Sequence, residues 1–406
     1  MEISFCEINK EKYNMIKKSN KLALLLLMFN MFITMSGIGL VIPIMPNFLK
    51  EFGETAKVLG YLISIIAFAQ FVFSPIAGSL SDRIGRKRLI IFGLLLNGSC
   101  QILFGLATDL WQLFILRFLY GVGSAFIVPP IMAFAADITT MEERGKAMGM
   151  IGAAISFGFM IGPGIGGALS NVSLHFPFFV AGIAAIIAGI LSLLFLPKTA
   201  PAIVEAPAGN NIVKEMIRSI KTPYFILLVV VFVFSFGIAN FQATLSMFLT
   251  YKFHYTPNDI AILMTVGGFV GVIVQGLFLG RLFKRFGEMN IILVSLVVAA
   301  ISMLGMIFVN GFFVILFVAC TFQTATTIIR PAVNTLISKV AGHEQGYAAG
   351  MNNAYMSLGN MIGPALAGTL LDWHMNIPFI LGTVILIICF GITFIWYKKS
   401  FSNYLS

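Results

Sequence analysis

Residues 158–167 read GFMIGPGIGG, and residues 359–368 read GNMIGPALAG, 201 positions later. Extending the comparison in both directions strengthens it. Between 143–169 and 344–370, 14 of 27 positions are identical, including Gly145/Gly346, Met150/Met351, Ser156/Ser357, Gly162/Gly363 and Pro163/Pro364. Farther upstream Pro130 meets Pro331, and GSLSDRIG from Gly78 meets GRLFKRFG from Gly280 at an offset of 202. The chain is therefore one unit used twice. Each copy sets Gly and Pro inside an apolar run. Small residues there let neighbouring helices approach closely, and Pro163 and Pro364 are expected to bend their path.

The composition says where such a unit sits. Of 406 residues, 59% are apolar and 10% charged, and the mean hydropathy is +0.96, far too little polar surface for a soluble globule of this size. A run of about 20 apolar residues at ~1.5 Å each crosses a ~30 Å hydrocarbon core. Twelve such runs are predicted, at 22–46, 58–80, 88–107, 110–136, 145–169, 175–196, 224–250, 258–282, 288–309, 312–339, 344–371 and 377–397. The expectation is an all-α membrane protein of twelve transmembrane helices. Its parts would be a tail at 1–21, a six-helix half at 22–196, a polar linker at 197–223, a second six-helix half at 224–397 and a tail at 398–406. Two parallel six-span repeats describe a transporter with its substrate site between the halves.

The net charge of +10 suggests a nucleic-acid binder until its distribution is read. With the N-terminus in the cytoplasm, 21 Lys/Arg fall on the cytoplasmic side and 3 outside, while Arg117 and Arg330 lie within spans. That asymmetry is the positive-inside rule and predicts a multi-pass cell-membrane protein with both ends cytoplasmic. Nucleic acid is then not needed to explain the basic clusters. The first apolar run continues past 20 residues without a small-residue cleavage site, so it reads as a retained span and not a signal peptide. Cys6, Cys100, Cys320 and Cys389 show no metal or disulfide spacing. The string GPGIGG lacks the Lys-Ser/Thr of a phosphate-binding loop and lies within a span. No nucleophile–base or metal-ligand constellation is present in the sequence, so no enzyme activity, metal or other cofactor is expected. The partners expected are a small-molecule substrate and the bilayer, and the chain is expected to act as a monomer.

The loop after the second run reads GSLSDRIGRKR, residues 78–88. It resembles the signature of the major facilitator superfamily, G-x-L-x-D-R-x-G-R-[K/R], at every defined position. Gly78 suits close packing, Gly85 a tight turn, and Asp82, an anion among the cations Arg83, Arg86, Lys87 and Arg88, can pair locally or cap the positive end of a neighbouring helix. In that family the loop clasps the halves together on the cytoplasmic side. LRFLYGVGSA resembles the family's second motif, with its buried arginine at Arg117. GFMIGPGIGG, with Gly162, Pro163, Gly166 and Gly167, resembles the motif of its antiporter branches, and Gly363 and Pro364 repeat part of it. With DITTMEER at 137–144, the whole chain resembles the twelve-span drug:proton antiporters of the Gram-positive multidrug and fluoroquinolone efflux branch. The resemblance implies the major facilitator fold, alternating access, export of drug-like amphiphiles and protons as the coupling ion. It nominates Ile38, Gln70, Phe159, Gln242, Gln323, Thr327, Arg330 and Asn352 as cavity residues. Gln70, Gln242, Gln323 and Asn352 are also amides in apolar spans, where lipid exposure would leave them unsatisfied. They suit either a cavity or a hydrogen bond between helices.

In one respect the chain departs from that branch. All sixteen acids lie at span ends or outside the spans. Members of the branch typically carry Glu in span 7 and Asp in span 10. Alignment on GIANFQATLSMF and TTIIRPA puts Gln242 and Thr327 there, with Arg330 and Pro331 retained. A cavity so lined is neutral to positive, which weakens its attraction for cations. Two alternatives stay open beside drug export in exchange for protons: an exporter of an endogenous anionic metabolite bound by Arg330, and a proton-independent facilitator. A purely structural role for Arg330 near the Pro331 break also stays open. The segment SGIGLVIPIMP at 36–46 suits a pliable gate.

Overall fold

The computed structural model describes residues 2–197, 212–342 and 344–401. Much of the expected linker and the end of the expected C-terminal tail lie outside the described residues. Among the described residues the chain is helical, without a strand. In the first half α1 (Glu2–Val41) is followed by the short α2 (Met45–Glu51), then α3 (Ala56–Ile84), α4 (Arg86–Gly105), α5 (Leu110–Ala125), α6 (Val128–Asp137), α7 (Met141–Ser170) and α8 (Phe176–Phe195). After the short α9 (Ile212–Ser219) come α10 (Phe225–Lys252), α11 (Pro257–Leu277), the short α12 (Leu279–Phe286), α13 (Glu288–Gly305), α14 (Phe312–Ala341), α15 (Gln345–Trp373) and α16 (Ile377–Trp396).

Eleven segments are long and apolar enough to cross a bilayer, with α5 and α6 together forming one of them. The twelfth expected span is α15, 29 residues long. It carries Gln345, Asn352, Asn353 and Asn360 and falls short of the apolarity of the others. Its place in the bundle comes from packing, because it lies between α3 and α10. Pro129 and Pro130 cannot donate backbone hydrogen bonds, and the fourth span breaks just before them, between Ala125 and Val128. The 36–46 segment breaks similarly: α1 ends at Val41 and α2 restarts at Met45. In contrast, α7 runs on through Pro163 and α15 through Pro364.

Short connections make successive spans antiparallel. We call the side where α1 begins and α16 ends the near side, and the other the far side. On the near side two tight turns repeat: Gly85 at φ +94° ends α3 and Gly287 at φ +74° ends α12. Both conformations favour glycine.

The duplicated stretch decides how the halves are built. In α7, a Cβ on Gly158 would lie 2.7 Å from the Phe32 carbonyl oxygen, one on Gly162 2.7 Å from that of Ser36, and one on Gly166 would run into that of Leu40. The four-residue spacing of these glycines lays α7 directly on the α1 backbone. The second copy does the same in its own half. Cβ atoms on Gly359 and Gly363 would lie 2.6 and 2.8 Å from the Phe232 and Phe236 carbonyl oxygens of α10.

A second face of each copy touches the opposite half, on the far side only. Gly368 of α15 meets Ala56 and Gly60 of α3, and Gly167 of α7 meets Asn258 and Ala261 of α11. At the 201 offset Gly167 matches Gly368 and Gly60 matches Ala261, so the two seams are related by the duplication. Above the first, Thr55 donates a 2.7 Å hydrogen bond to the Asp372 carboxylate across the halves.

Toward the near side the same faces part. On α7, Gly145, Gly149 and Gly152 precede Pro163 and Gly167 at spacings that keep them on one face, and a Cβ on any of the three would meet nothing within 4 Å. Gly346 and Gly350 of α15, Gly78 of α3 and Gly276 of α11 are equally free. The close packing expected at Gly78 is not made among the described residues, because the facing helices of the two halves stand apart at this end of α3. The halves enclose a wedge, sealed on the far side and open on the near side.

Candidate functional site

The wedge is walled by α3, α7, α11 and α15, with α1, α10 and α14 behind them. On α7 Phe159 stands beside the open face, 37% exposed. On α14 the residues Gln323, Thr327, Arg330 and Asn334 follow at spacings of four, three and four, so they form one polar stripe. Its far end is held in place: Gln323 fills the space a Cβ on Gly267 would take, and Thr327 Oγ1 lies 3.2 Å from the corresponding point on Gly271. Beside that contact Gly268 of α11 abuts Met160 of α7. One turn toward the near side Arg330 is exposed, and it makes no hydrogen bond or ion pair among the described residues. Acids cannot neutralise it from these helices. The α10 and α14 sequences contain none, α11 has only Asp259 and α15 only Asp372, both at far-side ends.

The amides of the spans divide into two groups. Asn30 donates to Ser192 Oγ at 2.8 Å, Asn97 to Ser124 Oγ at 3.0 Å and Gln101 to the Gly37 carbonyl at 3.1 Å, tying helices of the first half together. The side chains of Gln70, Gln242, Gln323 and Asn352 make no hydrogen bond among the described residues. All four are half-buried, and the Asn352 Oδ1 is itself buried without a partner. Such groups are costly to leave unsatisfied and available to a ligand. Ile38 is half-buried against the apolar cluster of Leu27, Ile90 and Ile127, which ties it to the core of its half as much as to the wedge.

Asn353 and Asn360 lie on the α15 face that continues Gly346 and Gly350, and sequence reasoning passed over them. Asn360 is the repeat counterpart of Phe159 at the 201 offset, which is the signal that finds it. Asn352 points about a third of a turn away from that face.

The near-side loop of the first half is an ion-pair cluster. Arg86 donates to Asp137 at 2.9 Å and to Asp82 at 3.5 Å, joining the end of α3 to the end of α6. Arg83 is exposed. Replacing Arg86 with Gln leaves two carboxylates facing each other. Since both are partly exposed, a stability loss of only about 0.5–1 kcal/mol is expected, seen as a lower unfolding temperature in detergent and reduced by added salt. Arg117 sits deeper, 5% exposed. Its guanidinium carbon lies 4.0 Å from the Phe104 ring centroid and one nitrogen donates to Met45 Sδ at 3.5 Å, so a ring face and a thioether stand where an anion would.

The Major Facilitator Superfamily profile matches residues 27–239 and 227–403, which is both halves. The chain belongs to the Major Facilitator Superfamily. It is 40% identical over 393 residues to Multidrug resistance protein 2 of Bacillus subtilis (strain 168), covering 95% of this chain and 98% of that one. It is 34% identical over 355 residues to the Quinolone resistance protein NorA of Staphylococcus aureus, covering 87% and 90%. Among solved structures, a bacterial homologue of the human lysosomal transporter Spinster, in an inward-facing, unoccupied conformation, superposes with a TM-score of 0.76 at 15% identity, covering 95% of this chain and 98% of that one. As a member of this superfamily with multidrug resistance relatives, the protein is a transporter and not an enzyme.

Proposed function

We propose that this chain exports drug-like amphiphilic molecules by alternating access, in exchange for protons. The near side is read as cytoplasmic, because Arg83, Arg86, Lys87 and Arg88, with Arg281, Lys284 and Arg285, all gather there. The kinship with a multidrug resistance protein and a quinolone resistance protein supports the substrate class. One monomer carries the whole pathway. Ile38, Gln70, Phe159, Gln242, Gln323, Thr327, Arg330 and Asn352 contact the compound in this reading. The halves rock on the seams of α3 with α15 and of α7 with α11, while the Asp82–Arg86–Asp137 cluster and Arg117 keep the first half rigid.

The observation that carries the substrate preference is an exposed Arg330 that makes no ion pair among the described residues, with no carboxylate on α10 or α14 and only far-side ones on α11 and α15. Such a cavity accommodates neutral, zwitterionic and anionic compounds better than cations. The same arginine favours, as a second reading, export of an endogenous anionic metabolite bound through its carboxylate or phosphate. Purified protein in liposomes with an imposed pH gradient tests both. Uphill transport of a zwitterionic fluoroquinolone that collapses when the gradient is dissipated is the expected result. Undiminished uphill transport would remove the proton from the scheme, and purely downhill movement would make the protein a facilitator. Transport of small organic anions alone would favour the metabolite reading.

A further inference from the structure

The two copies of the near-side turn have diverged in charge. In the first, cations are consumed within the protein: Arg86 holds Asp82 and Asp137, and Lys87 donates to the Leu196 carbonyl oxygen at 2.5 Å. In the second, at the offset of 202, Lys284 stands where Asp82 stands. Arg281, Lys284 and Arg285 of α12 are all exposed, and none makes an ion pair or hydrogen bond among the described residues. Arg285 lies only over its neighbour Phe286, 5.3 Å from the ring centroid. The nearest acid in sequence, Glu288, already accepts from Lys339 at 2.6 Å.

The rest of α12 is apolar, and helical spacing puts Leu279, Leu282, Phe283 and Phe286 on the face opposite the cations. Phe283 is half-buried against the core of the second half. Phe286 is 51% exposed, and Phe278, just before α12, 47%. Connectivity fixes the depth. The spans α11 and α13 flank α12 directly, so it lies at the bilayer boundary. A helix there with bare cations on one face and exposed aromatic rings on the other matches both layers of a lipid, headgroup and acyl boundary.

We propose that α12 is a binding surface for anionic phospholipid headgroups of the near-side leaflet, held by Arg281, Lys284 and Arg285 with Phe278 and Phe286 seated among the acyl chains. The surface rests on the membrane placement of the chain and not on what it transports. A failed efflux assay therefore leaves it intact.

The test uses the full chain in detergent micelles with fluorescent phosphatidylglycerol and a matched phosphatidylcholine. The unmodified protein is expected to prefer phosphatidylglycerol by about tenfold or more at low salt. The triple variant R281Q/K284Q/R285Q should lose most of that preference, while the near-side control K214Q/K221Q keeps it. Glycerol phosphate, which has the headgroup chemistry without the chains, should not compete. An unchanged preference in the triple variant, or competition by glycerol phosphate as strong as by the lipid, would overturn the proposal. Should the triple variant not fold, salt decides on the unmodified chain. A preference that shrinks several-fold between about 50 and 500 mM salt supports the surface, and one that does not change overturns it.

Discussion

Replacing Gly368 with Val is expected to break the far-side seal and lower drug efflux at least about tenfold. A side chain there must displace the Ala56 carbonyl and the Gly60 backbone, which are backbone atoms that cannot rotate away. Overpacking of this kind costs about 1–3 kcal/mol, and only in the state where the seam is closed. The closed and open forms would then shift by about 5- to 150-fold relative to one another. The reporter is a cysteine at Ser64, one turn below Gly60 and 8% exposed, in a chain whose native cysteines have been replaced. Faster modification from the far side by a membrane-impermeant thiol reagent is expected. Unaltered reactivity together with normal efflux would show that the seam does not gate the pathway. The same change at Gly145 serves as a counterpart, because a side chain there meets nothing in the present state. It should spare far-side closure and hinder near-side closure instead.

The second large effect is a gain. Restoring acids with Gln242→Glu and Thr327→Asp is expected to raise export of a cationic dye such as ethidium by tenfold or more and to depress export of anions. A carboxylate about 8 Å from a bound cation, at an effective dielectric of about 20, contributes ~2 kcal/mol, or about thirtyfold in affinity. The measurement is dye efflux from cells or loaded liposomes beside a folding control. If ethidium export by the unmodified chain already equals that of the double variant, charge in the cavity does not set substrate preference. In that case Arg330 is better read as structural.

Most of the architecture could be read from residues, because periodic apolar runs and a duplicated stretch leave few alternatives in a bilayer. The least apolar of the twelve expected spans was α15, whose asparagines leave it short of the others by composition while the duplication and its packing between α3 and α10 make it a span. The site was less legible. Sequence marks Asn30, Asn97 and Gln101 as amides in apolar spans just as it marks Gln70, Gln242 and Gln323. Only the structure separates those that pair between helices from those that make no hydrogen bond among the described residues. Face assignment was the other obstacle. Asn352 and Asn353 are adjacent in the chain and differ by about 100° around the helix, so only one of them continues the face of Gly346 and Gly350 while the other leans toward the helix behind it. Which end of the wedge is open lay beyond sequence altogether, since Gly167 and Gly145 read alike until their surroundings are known.

The duplicated stretch works as a bearing. One face of each copy is fixed to the first span of its own half through glycine-to-carbonyl contacts, and the other abuts the second span of the opposite half, on which the proposed rocking would turn. Both faces are carved from the same ten residues. A change made to tune the motion therefore disturbs the mounting, and one made to strengthen the mounting is felt in the motion. Variation that alters what the protein carries has more freedom in the α14 stripe, which belongs to neither face.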